Sequence, residues 1–460
     1  MKRIAIIGGG IAGLTAAYEL SCLASKGAAV EAVLFEASPR LGGIVETVRE
    51  GGFVIECGPD AWVTEKPWAR ELAEQLGLGD EIISSNDATR KTYVLMDGLL
   101  QAMPDGMRMM VPANLHALDQ SELFSPEAKQ DFHAEISRAT ELKASAPQHD
   151  ESVAAFVRRH FGDEVLDTIG APLLRGVFGG DVTQLSVRAV MAPFVAMERE
   201  HGSLIAAMQA NSTASKSRQA AIFTTLQSGL GTLVDRMVAT IPKDWLRLGT
   251  TIRALSHEHD GWKVETSSTQ EHFDVILMAA PVHIARELMQ SIDTRAAQLI
   301  AMDASSAVVV AFGFPDATGF STPPGFGFLV PEGSGSRLLA CTFVDQKFAN
   351  RVPPNGKLIR AFFGADAAER LIRCGNDEVS SVARLELAHI LGPLPEPQVT
   401  VVRRWPKSLP QYAVGHLERM KELDEHIRNL NGLYLLGNGY RGVGLPDLIR
   451  DARAAAQQLV

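Results

Sequence analysis

Lys2-Arg3-Ile4-Ala5-Ile6-Ile7-Gly8-Gly9-Gly10-Ile11-Ala12-Gly13 opens the chain and decides its fold. Residues 2–7 are a short apolar run that stops at glycine, residues 11–20 carry apolar side chains at helical spacing, and residues 30–35 return to a β-branched strand pattern. Strand, glycine turn, helix and strand make a compact βαβ unit. Gly8, Gly10 and Gly13 stand in the order G-x-G-x-x-G at the strand-to-helix turn, and Glu36 closes the next strand 23 residues after Gly13. Each glycine has its own mechanical role. The first allows the tight turn, the second lets backbone approach a pyrophosphate, and the third lets helix and strand pack closely. Gly9, Ile11 and Ala12 complete the turn, whose free N–H groups at the positive helix end suit a phosphate. Glu36 is placed to accept hydrogen bonds from ribose hydroxyls, which favours an unphosphorylated ribose.

At 460 residues the chain exceeds one hydrophobic core, so several domains and room for a large cofactor are expected. No apolar run reaches the roughly 18 residues of a membrane span, and the glycines at 8–10 interrupt the N-terminal apolar stretch before it resembles a leader. A cytoplasmic location is the expectation. The four cysteines are scattered without metal-ligand spacing, so free thiols and no metal site are expected. A net charge of −10 argues against nucleic acid as a partner.

Beyond the βαβ unit the pattern turns mostly helical over residues 66–213, with candidate helices at 68–76, 151–161 and 163–174 and a charged stretch at 129–150. Short strands return at 245–278 and dominate again from 304 to 363. A helix at 377–391, a proline-rich linker, a strand at 433–436, a glycine-rich loop and a helix from Pro446 complete the chain. The polar stretch 211–217 reads as a loop. The expected class is α/β with an α+β substrate part. Residues 1–65, 220–290 and 400–460 form a discontinuous Rossmann-type cofactor domain, 66–219 a mainly helical insertion, and 291–399 a strand-rich substrate domain.

The continuation Glu36-Ala37-Ser38-Pro39-Arg40-Leu41-Gly42-Gly43 resembles the amine-oxidase-like flavoprotein superfamily. The resemblance implies FAD, with Arg40, Gly42 and Gly43 around its pyrophosphate and Gly58 and Pro59 beside the isoalloxazine; an arginine can pair a diphosphate bidentately. The turn at 437–447, Gly-Asn-Gly-Tyr-Arg-Gly-Val-Gly-Leu-Pro-Asp, resembles the loop that closes the flavin site there, and its helix start suits a negatively charged reduced flavin. It holds no cysteine, so a non-covalent cofactor is expected.

Further stretches narrow the resemblance: G-P-D-A-W-V-T-E-K at 58–66, R-G-V-F-G-G-D at 175–181, H-G-S-L at 201–204, R-W-P-K-S-L-P-Q-Y at 404–412 and G-V-G-L-P-D at 442–447. Together they resemble the oxygen-dependent porphyrinogen oxidases of haem biosynthesis over nearly the whole chain. That family implies FAD contacts at Gly8 to Gly13, Glu36, Ala37, Arg40, Gly42, Gly43, Gly58, Pro59, Asp60, Ile252, Trp405, Val443, Gly444 and Leu445. It implies oxidation of coproporphyrinogen III or protoporphyrinogen IX, with three O2 reduced to three H2O2 and handover to the next pathway enzyme. The match around Lys66 inclines toward coproporphyrinogen III. Lys66 and Arg175 are the expected ligands of substrate carboxylates, Lys66 the better placed by sequence. His201 is read as structural, and Met107, Met109 and Met110 as core or a greasy surface; residues 103–118 are the expected site of any peripheral membrane contact. The competing readings are another flavoenzyme of the superfamily, an amine oxidase or a carotenoid desaturase, and a non-catalytic escort resembling GDP-dissociation inhibitors.

Overall fold

A computed structural model of the chain describes residues 1–214, 221–316 and 320–459, and the side chains of all of these except 211–214. The opening unit forms as its sequence dictates: strand β1 (Lys2–Ile7), helix α1 (Ile11–Ser25) and strand β2 (Val30–Glu36). β1 and β2 pair in parallel within a five-stranded sheet ordered Leu246–Leu248, β2, β1, Val275–Met278, Leu433–Leu435. Because side chains alternate across a strand, Ile4 and Ile6 pack with Leu14, Leu20, Leu448 and Ile449 on one face, while Ala5 and Ile7 pack with Ile252, Ala285 and Leu433 on the other. The C-terminal helix α3 (Leu445–Gln458) lies against α1 on the first of these faces. Each follows a parallel strand of the same sheet, so both helices start at the carboxyl ends of the strands, where open α/β sheets hold their ligands.

A seven-stranded sheet forms a second layer, ordered Val399–Pro410, Ala304–Phe314, Lys357–Phe363, Ala340–Phe343, Gly327–Leu329, Thr92–Met96, Leu99–Ala102. Two of its strands come from the stretch expected to be helical. Its edge strand Val399–Pro410, here β3, begins at the boundary assigned to the cofactor part. Sheet pairing, which periodicity does not encode, links these distant segments. Between residues 126 and 214 the chain is helical around Phe132, Phe156, Phe161 and Leu174, and the charged stretch at 129–150 lies largely in two of those helices, Pro126–Ser137 and Ala139–Ser145. The expected helices at 151–161 and 163–174 run on through a break at Gly162, φ +82, and a π-helical turn at Leu166–Gly170. Helix α2 (Trp68–Gln75) matches its expectation within a residue. Of the expected loop at 211–217, residues up to Ala214 end the helix Leu204–Ala214, and 215–217 lie outside the described residues.

Among the described residues no helix is long and apolar enough to cross a membrane. Within 103–118, Met110, Val111 and Leu118 are buried, Met103, Met107 and Met109 pack onto the helical core, and the exposed residues are Asp105, Gly106, Arg108, Asn114 and His116. The apolar side chains of this stretch face inward.

Candidate functional site

At the α1 start each glycine has a separate physical cause. Gly8 has φ +107, and a Cβ there would lie 2.6 Å from the Ala279 carbonyl oxygen. A Cβ on Gly13 would lie 2.0 Å from the Gly8 carbonyl oxygen, closer than any carbon can approach. A Cβ on Gly10 would meet nothing within 4 Å, and its backbone is extended with φ −68. Gly8 and Gly13 therefore serve the fold, and Gly10 leaves open space beside the helix start. The helix start carries no side-chain cap and no acidic residue in its first turn, so its N–H groups are available to an anion. Ile11 and Ala12 are buried in the core, so their contribution to a ligand is limited to backbone.

Glu36 lies beneath this turn, accepting from Gly9 N at 2.7 Å and Ser38 N at 2.8 Å. Ala37 beside it is exposed, and Ile252 begins the strand just after Thr250 N donates to the Glu36 carbonyl. Gly42 N donates to the Gly9 carbonyl at 2.8 Å, with Gly42 and Gly43 at φ +99 and +60, which seats this loop directly on the glycine turn. Arg40 holds the loop in shape: Nη1 donates to the Leu41 and Val45 carbonyls at 3.0 and 3.1 Å, and Nη2 to the Gly43 carbonyl. Both terminal nitrogens expected to grip a diphosphate are thus engaged with the loop's own backbone.

The Gly58-Pro59-Asp60 strip packs against the same loop, since a Cβ on Gly58 would lie 2.0 Å from the Ile44 carbonyl oxygen. Trp405, on β3, donates its indole N–H to the Cys57 carbonyl at 2.7 Å, and the Arg40 guanidinium lies 6.0 Å from its ring centroid. Asp60, expected among the cofactor contacts, directs its carboxylate elsewhere, to Lys347 at 2.9 Å and Arg360 at 3.3 Å. Burial opposes its ionisation, but these two cations outweigh burial and hold its pKa below the ordinary value. Arg360 also donates to the Gly58 carbonyl, and Arg351 pairs with Glu56 at 3.2 Å, both guanidinium groups almost wholly buried. Burial pushes the Glu56 carboxyl up despite Arg351. This network has no local sequence signature: Arg351 and Arg360 lie nearly 300 residues from their partners.

The C-terminal turn is shaped by the R-W-P-K-S-L-P-Q-Y segment. Tyr412 Oη donates to the Asn438 carbonyl at 2.7 Å and accepts from Gly442 N at 3.0 Å, its ring stacked 3.8 Å from that of His416. His416 Nε2 bonds the Tyr440 carbonyl at 3.0 Å. Burial pushes the His416 pKa down to about 4 and raises those of Tyr412 and Tyr440. At Gly437, φ +119, a Cβ would meet nothing within 4 Å, and Gly444 opens α3 with no side-chain cap. A second open glycine and a second uncapped helix start thus lie on the same side of the sheet as the first. Tyr412 was legible only as part of a motif, without a role.

Lys66 is joined to this turn. Its ammonium lies 2.8 and 2.6 Å from the two carboxylate oxygens of Asp447, in the first turn of α3. Its side chain is 43% exposed and already paired. Arg175 pairs with Glu332 at 2.5 Å. His201 is half-exposed beside Glu200, whereas the rest of its motif builds structure: Ser203 Oγ and Leu204 N both donate to the buried Glu135. The four cysteines are free thiols, and burial raises the Cys57 pKa to about 11. Where no metal was expected, Glu258, Asp260 and His272 bring ligand atoms within 4.8 Å of one another, on a surface hairpin distant in sequence from both glycine turns.

Known proteins resemble the chain over its full length. The chain is 33% identical to the coproporphyrinogen III oxidase of Bacillus subtilis (strain 168), covering 99% of this chain and 97% of that one. It is 28% identical to the coproporphyrinogen III oxidase of Staphylococcus aureus, over 100% and 99%. A crystal structure from Exiguobacterium named "Putative protoporphyrinogen oxidase" superposes with a TM-score of 0.87 at 30% identity, covering 100% of this chain and 98% of that one. A family model described as flavin containing amine oxidoreductase matches residues 11–460. With a family model spanning residues 11–460 and a full-length relative at 33% identity, the chain belongs to the flavin containing amine oxidoreductase family.

Proposed function

We propose that this chain oxidises coproporphyrinogen III to the porphyrin, using FAD held without a covalent bond and O2 as the final acceptor. The observation that carries the reading is the convergence of two uncapped helix starts on one glycine-lined cradle, in a chain matched end to end by coproporphyrinogen III oxidases. The residues present fit FAD. Gly8 to Gly13 and Gly42 and Gly43 would take the pyrophosphate, Glu36 the ribose and Ile252 the adenine. Gly58, Pro59, Trp405 and Val443 to Leu445 would face the isoalloxazine. When bound, FAD supplies two-electron acceptance, so loss of six electrons from a porphyrinogen requires three rounds and three O2. The protein's part is to hold and orient: Trp405 is fixed through Cys57, Tyr412 fixes the closing turn, and Arg40 fixes the loop over the pyrophosphate.

Substrate carboxylates need a cation that can change partners, and here the two sequence candidates separate. Glu332, the partner of Arg175, is 78% exposed, so solvent weakens that pair and a propionate can replace it. Asp447, the partner of Lys66, is only 6% exposed and would keep only the longer Arg450 contact at 3.4 Å if Lys66 left it, so that pair is the costlier to break. Arg175 is therefore our substrate ligand. Handover of the porphyrin to a following haem-pathway enzyme completes the reading. The test is aerobic turnover of both porphyrinogens by the purified yellow protein, following porphyrin fluorescence and peroxide. We expect coproporphyrinogen III to be preferred, with three H2O2 per porphyrin; failure to form porphyrin, or turnover of amines instead, overturns it.

A further inference from the structure

Lys66 reaches across 381 residues of sequence to bind a carboxylate at the start of the helix that closes the cofactor site. Gly442 makes this possible: its φ is +148, and a Cβ there would lie 2.8 Å from Asp447 Cβ, so only glycine lets the aspartate fold back under the turn. An uncapped helix start presents about half a positive charge to whatever lies beyond it. A carboxylate in the first turn opposes that field. Arg450 offsets it weakly, at 3.4 Å and shared with Asp451 at 2.7 Å, whereas Lys66 makes two close contacts. The same stretch is further held to α3 by Arg450 over the Trp68 ring at 5.0 Å and by Arg453 near Glu71 at 3.7 Å.

We propose that Lys66 is a positioning residue for the flavin and not a ligand of the substrate: by neutralising Asp447 it keeps the α3 start electropositive and favours reduction of bound FAD. This rests on the proposed function, which places the isoalloxazine at residues 443–445. Two-electron reduction with uptake of one proton adds one negative charge to the flavin, and that charge is what the local field acts on. Removing Lys66 leaves Asp447 largely uncompensated and disfavours reduction; removing Asp447 leaves Lys66 uncompensated and favours it.

The experiment is a spectroscopic redox titration of the FAD-loaded protein against a reference dye, for wild type, Lys66→Met, Asp447→Asn, the double variant and Lys66→Arg. The midpoint is expected to fall in Lys66→Met, to rise in Asp447→Asn, and to return near wild type in the double variant and in Lys66→Arg. A purely structural link would shift both single variants the same way, and that result overturns the proposal. So does a wild-type midpoint in Lys66→Met together with a raised KM for coproporphyrinogen III, the signature of a substrate ligand. Should Lys66→Met lose its FAD, Asp447→Asn decides alone, and a midpoint that does not rise there overturns the proposal. A protein that binds no FAD or forms no porphyrin defeats the functional reading instead, so the two failures are distinguishable.

Discussion

The two helix starts at the carboxyl ends of the central sheet solve one problem by opposite means. At α1 the solution is steric: glycines remove Cβ atoms, the first turn carries no acid, and the whole device lies within a dozen consecutive residues. At α3 it depends on remote side chains: Tyr412 and His416 shape the turn, and Lys66 neutralises an acid in the first turn. A pyrophosphate carries permanent negative charge and requires only space and free N–H groups. A flavin gains charge on reduction, so the group beside it benefits from a field that can be tuned. The difference teaches that the first helix start is specified locally and the second globally.

The largest test of this contrast is at the packing glycine. Gly13→Ala places a methyl 2.0 Å from the Gly8 carbonyl oxygen. Despite better helix propensity, it should cost about 3 kcal/mol or more, through forced separation of α1 from β1. Chemical denaturation measures this, and wild-type stability in Gly13→Ala would show that the turn yields more easily than its geometry implies.

At the other start the expected effect is a pH dependence. Burial lowers the His416 pKa to about 4, while Arg419 also disfavours its cation and Asp150 and the Tyr440 carbonyl favour it. A depressed histidine is neutral in the folded state and takes up a proton on unfolding at acidic pH. Its contribution is therefore complete above about pH 6.5 and is lost as pH falls toward about 4. Between pH 7 and 5 the loss should be about 2 kcal/mol. His416→Gln, which keeps a donor for the Tyr440 carbonyl, should remove that part of the slope; unfolding curves at the two pH values that are as steep in the variant as in wild type would assign it to other groups.

The smallest effect separates fold from ligand within α1 itself. Gly10→Ala meets no atom within 4 Å and needs no unusual φ, so stability should stay within about 0.5 kcal/mol of wild type. FAD affinity should nevertheless fall about tenfold, or about 1.4 kcal/mol, because the added methyl lies where backbone meets phosphate. Unchanged FAD affinity in a fluorescence titration would show that the pyrophosphate passes Gly10 at a distance.

The ranking of the two candidate substrate cations shows where sequence reading stopped. Lys66 stood out because it follows G-P-D-A-W-V-T-E at the motif's end, and Arg175 looked weaker. Their partners differ in burial, Asp447 being 6% exposed and Glu332 78%, and on that ground we propose the opposite order, since a cation's availability depends on what already holds it. The partners of Asp60 were hidden for the same reason: Lys347 reaches its carboxylate from the short helix Val344–Lys347 and Arg360 from the second sheet.

By itself the sequence determined the βαβ unit, the tight turn at Gly8 and the close packing at Gly13, because each rests on residues within a few positions of one another. Backbone sterics and helix-start electrostatics act over that range, so their signatures survive in one dimension. Only the tertiary structure decided that Thr92–Met96 and Leu99–Ala102 extend the second sheet, that Arg351 and Arg360 support the Gly58 strip, and that Lys66 belongs to Asp447. Those pairings join segments up to 381 residues apart. What selects them is the cost of leaving a buried charge or a sheet edge unpartnered, which becomes definite only once the chain is folded.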